Sequence, residues 1–419
     1  MLLSQKVIGI TSDKVAEPNF MDSAKVSPKD FTRKRKMGFE ELISFMLMNF
    51  KCTAQTALRR FFKDLGSDEF MRQQSFSEAR YKIRYQAFVE LFKLTVSPML
   101  EDLQEFWHGY RVLGFDGSKI NLPADGKLIE YFGANGRGAK SPQAQGSICY
   151  DVLNDIVIDA DIAPLTTCER TLAKQHIEKV MNHERLADAK KLGLFDRGYA
   201  SFDMVNTLCE NGFSFVMRVK KKFNRDIDAL DKSDGYVWLE KDGKRIHVRV
   251  IKFMLDSGEE ETLITNITDK RLGKNAFKKL YFMRWPIETK YDIAKNKLQI
   301  ENFTALKPEG IKQDFFATMY LANVAACCKH DAKAEIIADR KDKDNKYTYQ
   351  ANVNELIGVL KDRFIAAFTQ DDSDLQIVII KDIVDEITRY VVPKREKRSV
   401  SRNPNPRAVK FHHNRKFNG

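Results

Sequence analysis

Hydrophobic spacing divides the chain into two helical ends and a mixed centre. Apolar residues recur at helical spacing in "GFEELISFMLMNF" and "TAQTALRRFF". Ser75 and Glu78 form a capping-box pattern, which predicts one long helix through "ARYKIRYQAFVELFKL". Three more helical segments follow residue 310. We therefore predict an all-helical N-terminal region over 1–105 and a helical C-terminal region over 311–393.

The pattern between these ends is different. Short apolar runs predict a strand that ends near Asp116, two strands joined at Asn154-Asp155, and a strand that ends at Asp196. Helices are predicted over 169–186 and 202–210, and a further strand in "FSFVMRVKKK". These alternating elements predict a mixed α/β core over 106–310. Alternating segments and glycine turns within 221–270 predict a β-rich insertion in that core.

Composition agrees with a folded protein, since 43% of the residues are apolar. No apolar stretch is long enough to span a bilayer, and the N-terminus lacks the pattern of a secretory signal, so we expect a cytoplasmic protein without a membrane partner. The six cysteines form no C-x-x-C pair and no zinc spacing. We interpret all six as reduced and structural.

The net charge of +12 is unevenly distributed. Residues 394–419 contain nine Lys or Arg and one acid, which predicts a flexible basic tail. A second cluster, "TRKRK", occupies 32–36, and Arg80 and Arg84 lie one turn apart on the predicted long helix. Such clusters suit a polyanion such as nucleic acid. A tail that only improves solubility is the alternative.

Two acids follow apolar strands, and each is accompanied by a glycine: Asp116 in "LGFDGS" and Asp196 in "LGLFDRGY". A carboxylate at a strand end, beside a glycine that permits close approach, is a common way to present a metal ligand. Asp and Gly are also favoured where a strand turns. Either motif alone is therefore weak.

The segment "YFMRWPIETKYDIAKNK" begins at Tyr281 and supplies a third acid. Tyr281, Arg284, Glu288 and Lys295 fall within an arc of roughly 60° on an ideal helix. The alternative is an ordinary ion pair between Arg284 and Glu288 on a solvated face. Pro286 favours the first turn of a helix, so we expect Tyr281 and Arg284 on a preceding turn.

The two strand aspartates, followed in order by the Y-x-x-R-x-x-x-E-x-x-x-x-x-x-K string, resemble the DDE transposases of the bacterial "insertion-sequence four" family. The resemblance covers about 110–300 and implies an RNase H-like fold. It also implies that Asp116, Asp196 and Glu288 are the catalytic metal ligands, with Asp116 bridging two Mg²⁺ ions. Mn²⁺ can substitute for Mg²⁺ under this interpretation.

The same resemblance implies roles for residues around the acids. Tyr281, Arg284 and Lys295 would hold DNA phosphates. Arg218 is either a DNA contact or a solvated strand end. Trp238 either stacks on a flipped base or packs in a β core.

The implied activity is cut-and-paste transposition through a hairpin intermediate, on terminal inverted repeats and target DNA, by a homodimer at the nucleoid. An RNase H-like nuclease that does not transpose would use the same acids. A DNA-binding protein that has lost catalysis would need only the basic clusters.

Overall fold

The computed structural model describes residues 1–48, 50, 52–136, 141–255, 258–284, 290, 293–341, 346–370 and 372–394. Almost all of the predicted basic tail lies outside these residues. Within them, no helix combines the length and the apolar character needed to cross a membrane.

The chain forms two compact units. Unit 1 contains residues 1–102, 120–144 and 293–419, and unit 2 contains residues 103–119 and 145–292. Each unit is therefore assembled from segments that are far apart in sequence. The segment boundaries predicted from the sequence stay predictions.

Unit 1 is mainly helical. Its longest helix, α12 (Pro308–Ala338), is buried around most of its circumference along its first twenty residues, as expected of a central helix. A short β-ribbon pairs Thr348–Ala351 with Val391–Lys394. The helices of unit 1 are α1 (Leu3–Ala16), α2 (Pro18–Ala24), α3 (Phe39–Leu47), α4 (Ala54–Asp64), α5 (Gln73–Arg80), α6 (Tyr85–Asp102), α7 (Gly126–Phe132), α12 (Pro308–Ala338), α13 (Val353–Phe368) and α14 (Ser373–Arg389).

The prediction of one long helix opening at Ser75 is wrong. Helix α5 starts at Gln73 and ends at Arg80, and α6 begins only at Tyr85. The backbone between them pairs with an earlier segment: Val26 N donates to Lys82 O at 2.9 Å, and Arg84 N donates to Ala24 O at 2.8 Å. Because these groups bond to a distant segment, residues 82–84 cannot continue the helical ladder.

Unit 2 contains the central sheet. The order of five neighbouring strands is β4 (Ile156–Pro164), β3 (Ser141–Asp151), β1 (Tyr110–Asn121), β5 (Lys190–Phe195) and β6 (Ser214–Val219), and β1, β5 and β6 are parallel. The predicted α/β fold class is confirmed. The elements are β1 (Tyr110–Asn121), β3 (Ser141–Asp151), β4 (Ile156–Pro164), α8 (Glu169–Met181), β5 (Lys190–Phe195), α9 (Phe202–Glu210), β6 (Ser214–Val219), α10 (Arg225–Ala229), β7 (Asp234–Lys241), β8 (Lys244–Met254), β9 (Glu260–Thr265) and α11 (Lys274–Phe282). The strand β2 (Ala134–Asn135) pairs with the first residues of β3 in unit 1.

The strands predicted as an insertion continue the same sheet. Strand β9 pairs antiparallel with β6, and β8 and β7 follow outward. The predicted turn at Asp242-Gly243 is present, and both residues have positive φ (50° and 76°), as a tight hairpin requires. The core sheet therefore extends without a break into this β-rich segment.

Candidate active site

Asp116 and Asp196 lie at corresponding positions on neighbouring parallel strands. Gly114 of β1 is paired with Leu194 of β5, which places the two aspartates two residues further along in the same register. The rings of Phe115 and Phe195, one residue before each acid, stack with centroids 4.8 Å apart and planes 9° from parallel. Since adjacent strands are about 4.8 Å apart, the two carboxylates are neighbours on one face of the sheet.

The two aspartates differ in local structure. Strand β1 does not end near Asp116, as predicted, but continues to Asn121, so Asp116 is not a turn residue. Asp196 directly follows the end of β5, and its Oδ1 accepts a hydrogen bond from Gly198 N at 2.7 Å. Asp196 is therefore a turn residue, and it also lies beside Asp116. Both residues are half-buried.

Arg218 extends this row across the next strand. Phe195 is paired with Met217, so Arg218 follows in register with Asp196. On β9, Leu263 is paired with Arg218, and Glu261 lies two residues away on the same face. Paired residues point to the same side of a sheet, so Asp116, Asp196, Arg218 and Glu261 share one face. We call this the catalytic face.

Glu261 and Arg218 form an ion pair through Arg218 Nε and a Glu261 carboxylate oxygen. The Glu261 side chain is 5% exposed, whereas 31% of the Arg218 side chain remains exposed. Burial raises the pKa of Glu261, and the charges of Arg218 and Arg284 act in the opposite direction. A carboxylate buried among arginines thus lies next to the predicted metal ligands.

Helix α11 covers part of the catalytic face and presents two residues of the signature. Phe277 of α11 packs against Arg249 of β8, whose guanidinium carbon lies 5.2 Å from the centre of the Phe277 ring. Phe282 packs against Phe253 of β8, with ring centroids 6.4 Å apart. Tyr281 is buried near the end of α11, and Arg284 lies in the turn that follows, with its guanidinium carbon 5.9 Å from the Tyr281 ring centre. The tyrosine and arginine therefore come to the same side of the sheet as the aspartates.

The Tyr281 hydroxyl is a neutral donor. Burial raises the pKa of Tyr281 to about 12, and the charges of Arg284, Glu261, Arg218 and Asp196 also act on it. A phenol with this pKa stays protonated at neutral pH and can donate a hydrogen bond to a phosphate oxygen.

The other two signature residues are placed differently. Glu288 lies outside the described residues, so its position in the site stays a prediction. Lys295 belongs to unit 1, in a π-helical turn over Ile293–Lys297, and its Nζ lies 3.8 Å from a Glu301 carboxylate oxygen. In the part of the chain that the structure describes, no group of three or more His, Cys, Asp or Glu residues is arranged to bind a metal.

Trp238 is not packed in a β core, so this one of its two predicted roles is wrong. It lies on β7 with 47% of its surface exposed. Its ring stacks on His247 at 4.7 Å, and the Arg245 guanidinium lies 4.9 Å from its centre. By strand pairing, Trp238 and His247 are on the same side of the sheet as Arg218.

Arg80 is also placed differently from the prediction. It is 1% exposed, and its guanidinium donates to Gln313, Thr304, the Gly310 carbonyl and Asp314 at 2.5–3.0 Å. Such a residue is not available to DNA. Arg84, in contrast, is exposed.

Glu261 and Arg197 were missed by the sequence analysis. Arg197 is among the charges that act on Glu261. Alternation in "ETLIT" gives Glu261 the same parity as buried Leu263, and a charged residue at such an inward position is the signal that could have identified it.

The family of the chain follows from a comparison with known proteins. A family profile described as the transposase DDE domain matches residues 107–324, more than half of the chain. No curated protein matches the chain. A cryo-EM structure of a piggyBac transposase synaptic complex with hairpin DNA is similar, with a TM-score of 0.49 and 8% identity over 96% of this chain and 88% of that one. The family match shows that enzymes of this kind cleave DNA and join strands with the help of a divalent metal ion. The chain belongs to the DDE-domain transposases and is a DNA transposase.

Proposed function

We propose that this transposase performs cut-and-paste transposition as a member of the insertion-sequence-four group. The observation that carries the proposal is the register of β1 and β5, which puts Asp116 and Asp196 side by side on the catalytic face. The order of the two aspartates and the Tyr281 string along the chain supports the assignment to this group.

The donor set fits Mg²⁺, because this ion prefers oxygen ligands. Asp116 and Asp196 contribute carboxylates from a rigid sheet, and we assign the third carboxylate to Glu288. When bound, the metal ions activate the attacking oxygen and stabilise the leaving oxygen of a phosphodiester. Mn²⁺, which accepts the same ligands, is the proposed substitute.

The residues around the acids suit a DNA phosphate. Arg218 lies in register with Asp196, Arg284 lies over the Tyr281 ring, and the Tyr281 hydroxyl supplies a neutral donor. A guanidinium can bind two phosphate oxygens at once, which orients the strand as well as attracting it. We assign Lys295 the same task by its place in the signature.

Exposed Trp238 is proposed to stack on a base that leaves the duplex during hairpin formation. Its contact with His247 fixes the orientation of the indole and leaves 47% of the residue exposed. An aromatic face of this kind accepts any base by stacking.

The DNA partners we propose are terminal inverted repeats and target DNA, bound by paired protomers at the nucleoid. The basic segment 32–36 is exposed, and Lys36 pairs with Glu69 at 3.0 Å, so three of its four basic residues form no ion pair among those observed between described residues. Together with the tail over 394–419, it supplies charge for phosphate contacts.

The test uses DNA from the flanks of the coding sequence in its element, purified full-length protein and Mg²⁺. We expect wild type to give a hairpin product, and Asp116→Asn, Asp196→Asn and Glu288→Gln to bind this DNA but not cut it. Asp203→Asn, which removes an exposed carboxylate on α9, is the matched control and should cut normally. Normal cutting by any of the three variants would remove that residue from the ligand set. Nicked DNA without a joined product would favour a nuclease.

A further inference from the structure

Burial of the Glu261 carboxylate carries a free-energy cost. It is buried on β9 opposite Phe253 of β8, and Leu263 and Thr265, which share its side of the strand, are buried as well. Removing a carboxylate from water costs several kcal/mol unless partners compensate, on the order of the penalty seen for buried ions. An apolar side chain here would avoid that cost, so the stability of the sheet does not explain the carboxylate.

The surroundings of Glu261 contain more positive than negative charge. Arg218 contacts it directly, and Arg284 and Arg197 act on it from the loops at the same edge of the sheet. Glu259 is the negative group that acts on it. Glu261 is therefore the buried counter-charge of an arginine cluster beside Asp196.

The contact between the two side chains leaves Arg218 able to bind something else. A guanidinium has five N–H donors, four of them on its two terminal nitrogens, and the ion pair with Glu261 is made through Nε. The side chain is 31% exposed, so part of it reaches solvent next to Asp196. An arginine that is already held in place loses less rotamer freedom when it binds a phosphate than one that is free to move.

We propose that Glu261 is a positioning residue, which holds Arg218 in the orientation that binds a DNA phosphate next to the catalytic aspartates. This inference rests on the proposed phosphate role of Arg218. Glu261 does not touch DNA itself, and it acts only through the guanidinium that it fixes.

A purely electrostatic role predicts the opposite result. If Glu261 only reduced the positive potential of the site, its neutralisation would strengthen DNA binding. If it positions Arg218, neutralisation weakens the productive phosphate contact although the site becomes more positive. The sign of the effect therefore separates the two roles.

The experiment compares Glu261→Gln, Arg218→Ala and the double variant with wild type, using the flanking element DNA and Mg²⁺. We expect Glu261→Gln to slow single-turnover cleavage at least tenfold and to lower the salt slope of binding by about one phosphate, as Arg218→Ala does. The double variant should be no slower than Arg218→Ala, because both changes remove one contact. Glu261→Asp should recover part of the rate. Melting temperatures verify that all variants are folded.

Two results would overturn the inference: tighter DNA binding with normal cleavage by Glu261→Gln, or multiplicative losses in the double variant. Normal cleavage by Arg218→Ala would instead refute the proposed role of Arg218, and cleavage by Asp116→Asn would refute the assigned metal site. These failures give different patterns across the same set of proteins.

Discussion

Replacing Arg80 by methionine should destabilise unit 1 without removing a DNA contact. The guanidinium lies between α5 and α12, where it donates to Gln313 Oε1 at 3.0 Å, to the Gly310 carbonyl at 3.0 Å and to Asp314 Oδ1 at 2.8 Å. Methionine fills much of the same volume and donates nothing. The buried acceptors of Gln313 and Gly310 would each lose a partner, and Asp314 would keep its hydrogen bonds from Thr304.

The size of the effect follows from these contacts. Removing one partner of a buried ion pair costs about 3–5 kcal/mol. Domains of 150–250 residues lose about 2–4 °C in melting temperature per kcal/mol, so we expect a decrease of roughly 6–20 °C. Asp314 has 21% of its side chain exposed, so water can solvate it in part, and we expect the lower half of this range.

The assay combines thermal unfolding with DNA binding measured against salt concentration. Arg84→Ala is the matched control, since Arg84 is exposed and the hydrogen bond that its guanidinium donates to Val26 O is 3.4 Å long. This variant should change stability by no more than about 0.5 kcal/mol. If Arg80→Met melted like wild type and its salt slope fell by about one phosphate, Arg80 would be a DNA contact and the structural reasoning would be refuted.

Two further predictions concern the catalytic sheet. A Cβ on Gly193 would lie 2.5 Å from the buried ring of Phe195, which stacks on Phe115, so Gly193→Ala should displace the rings that precede the two aspartates and slow DNA cleavage by roughly 10–100-fold. Gly126→Ala, where nothing lies within 4 Å of the added Cβ, should cleave normally, and equal rates for the two variants would contradict the argument. Burial alone would raise the pKa of Asp159, but its hydrogen bond with His176 and the nearby positive charges lower it below the usual value. The ionised form therefore stabilises the fold above about pH 4, and this stabilisation is lost as the pH falls through the folded-state pKa. The melting temperatures of wild type and Asp159→Asn should differ at neutral pH, and the difference should shrink as the pH falls below about 4; a difference independent of pH would exclude the ionic origin.

Much of the secondary structure could be predicted because its signals are local. The strand before Asp196, the helix over 202–210 and the hairpin at Asn154-Asp155 depend on apolar alternation and turn residues within a few positions. The order of the acids and the spacing of Tyr281 and Arg284 are likewise properties of the sequence alone. These properties indicate the transposase family without any tertiary contact.

Residues whose role depends on a distant partner could not be predicted in this way. Arg80 resembles a surface arginine in sequence, but α12, more than 200 residues later, buries it. The segment 82–84 has helical spacing, yet its backbone pairs with residues 24–26. In both places tertiary contacts outweighed a local preference of a few tenths of a kcal/mol per residue.

The catalytic face shows the same division between sequence and structure. The sequence determined which residue types are present: two aspartates after strands, an arginine on the next strand, and a tyrosine and arginine at the end of a helix. Only the pairing of β1, β5, β6 and β9 decided that Asp116, Asp196, Arg218 and Glu261 share one side of the sheet. Strand register is set by long-range packing, and a shift of one residue would turn each side chain to the other face.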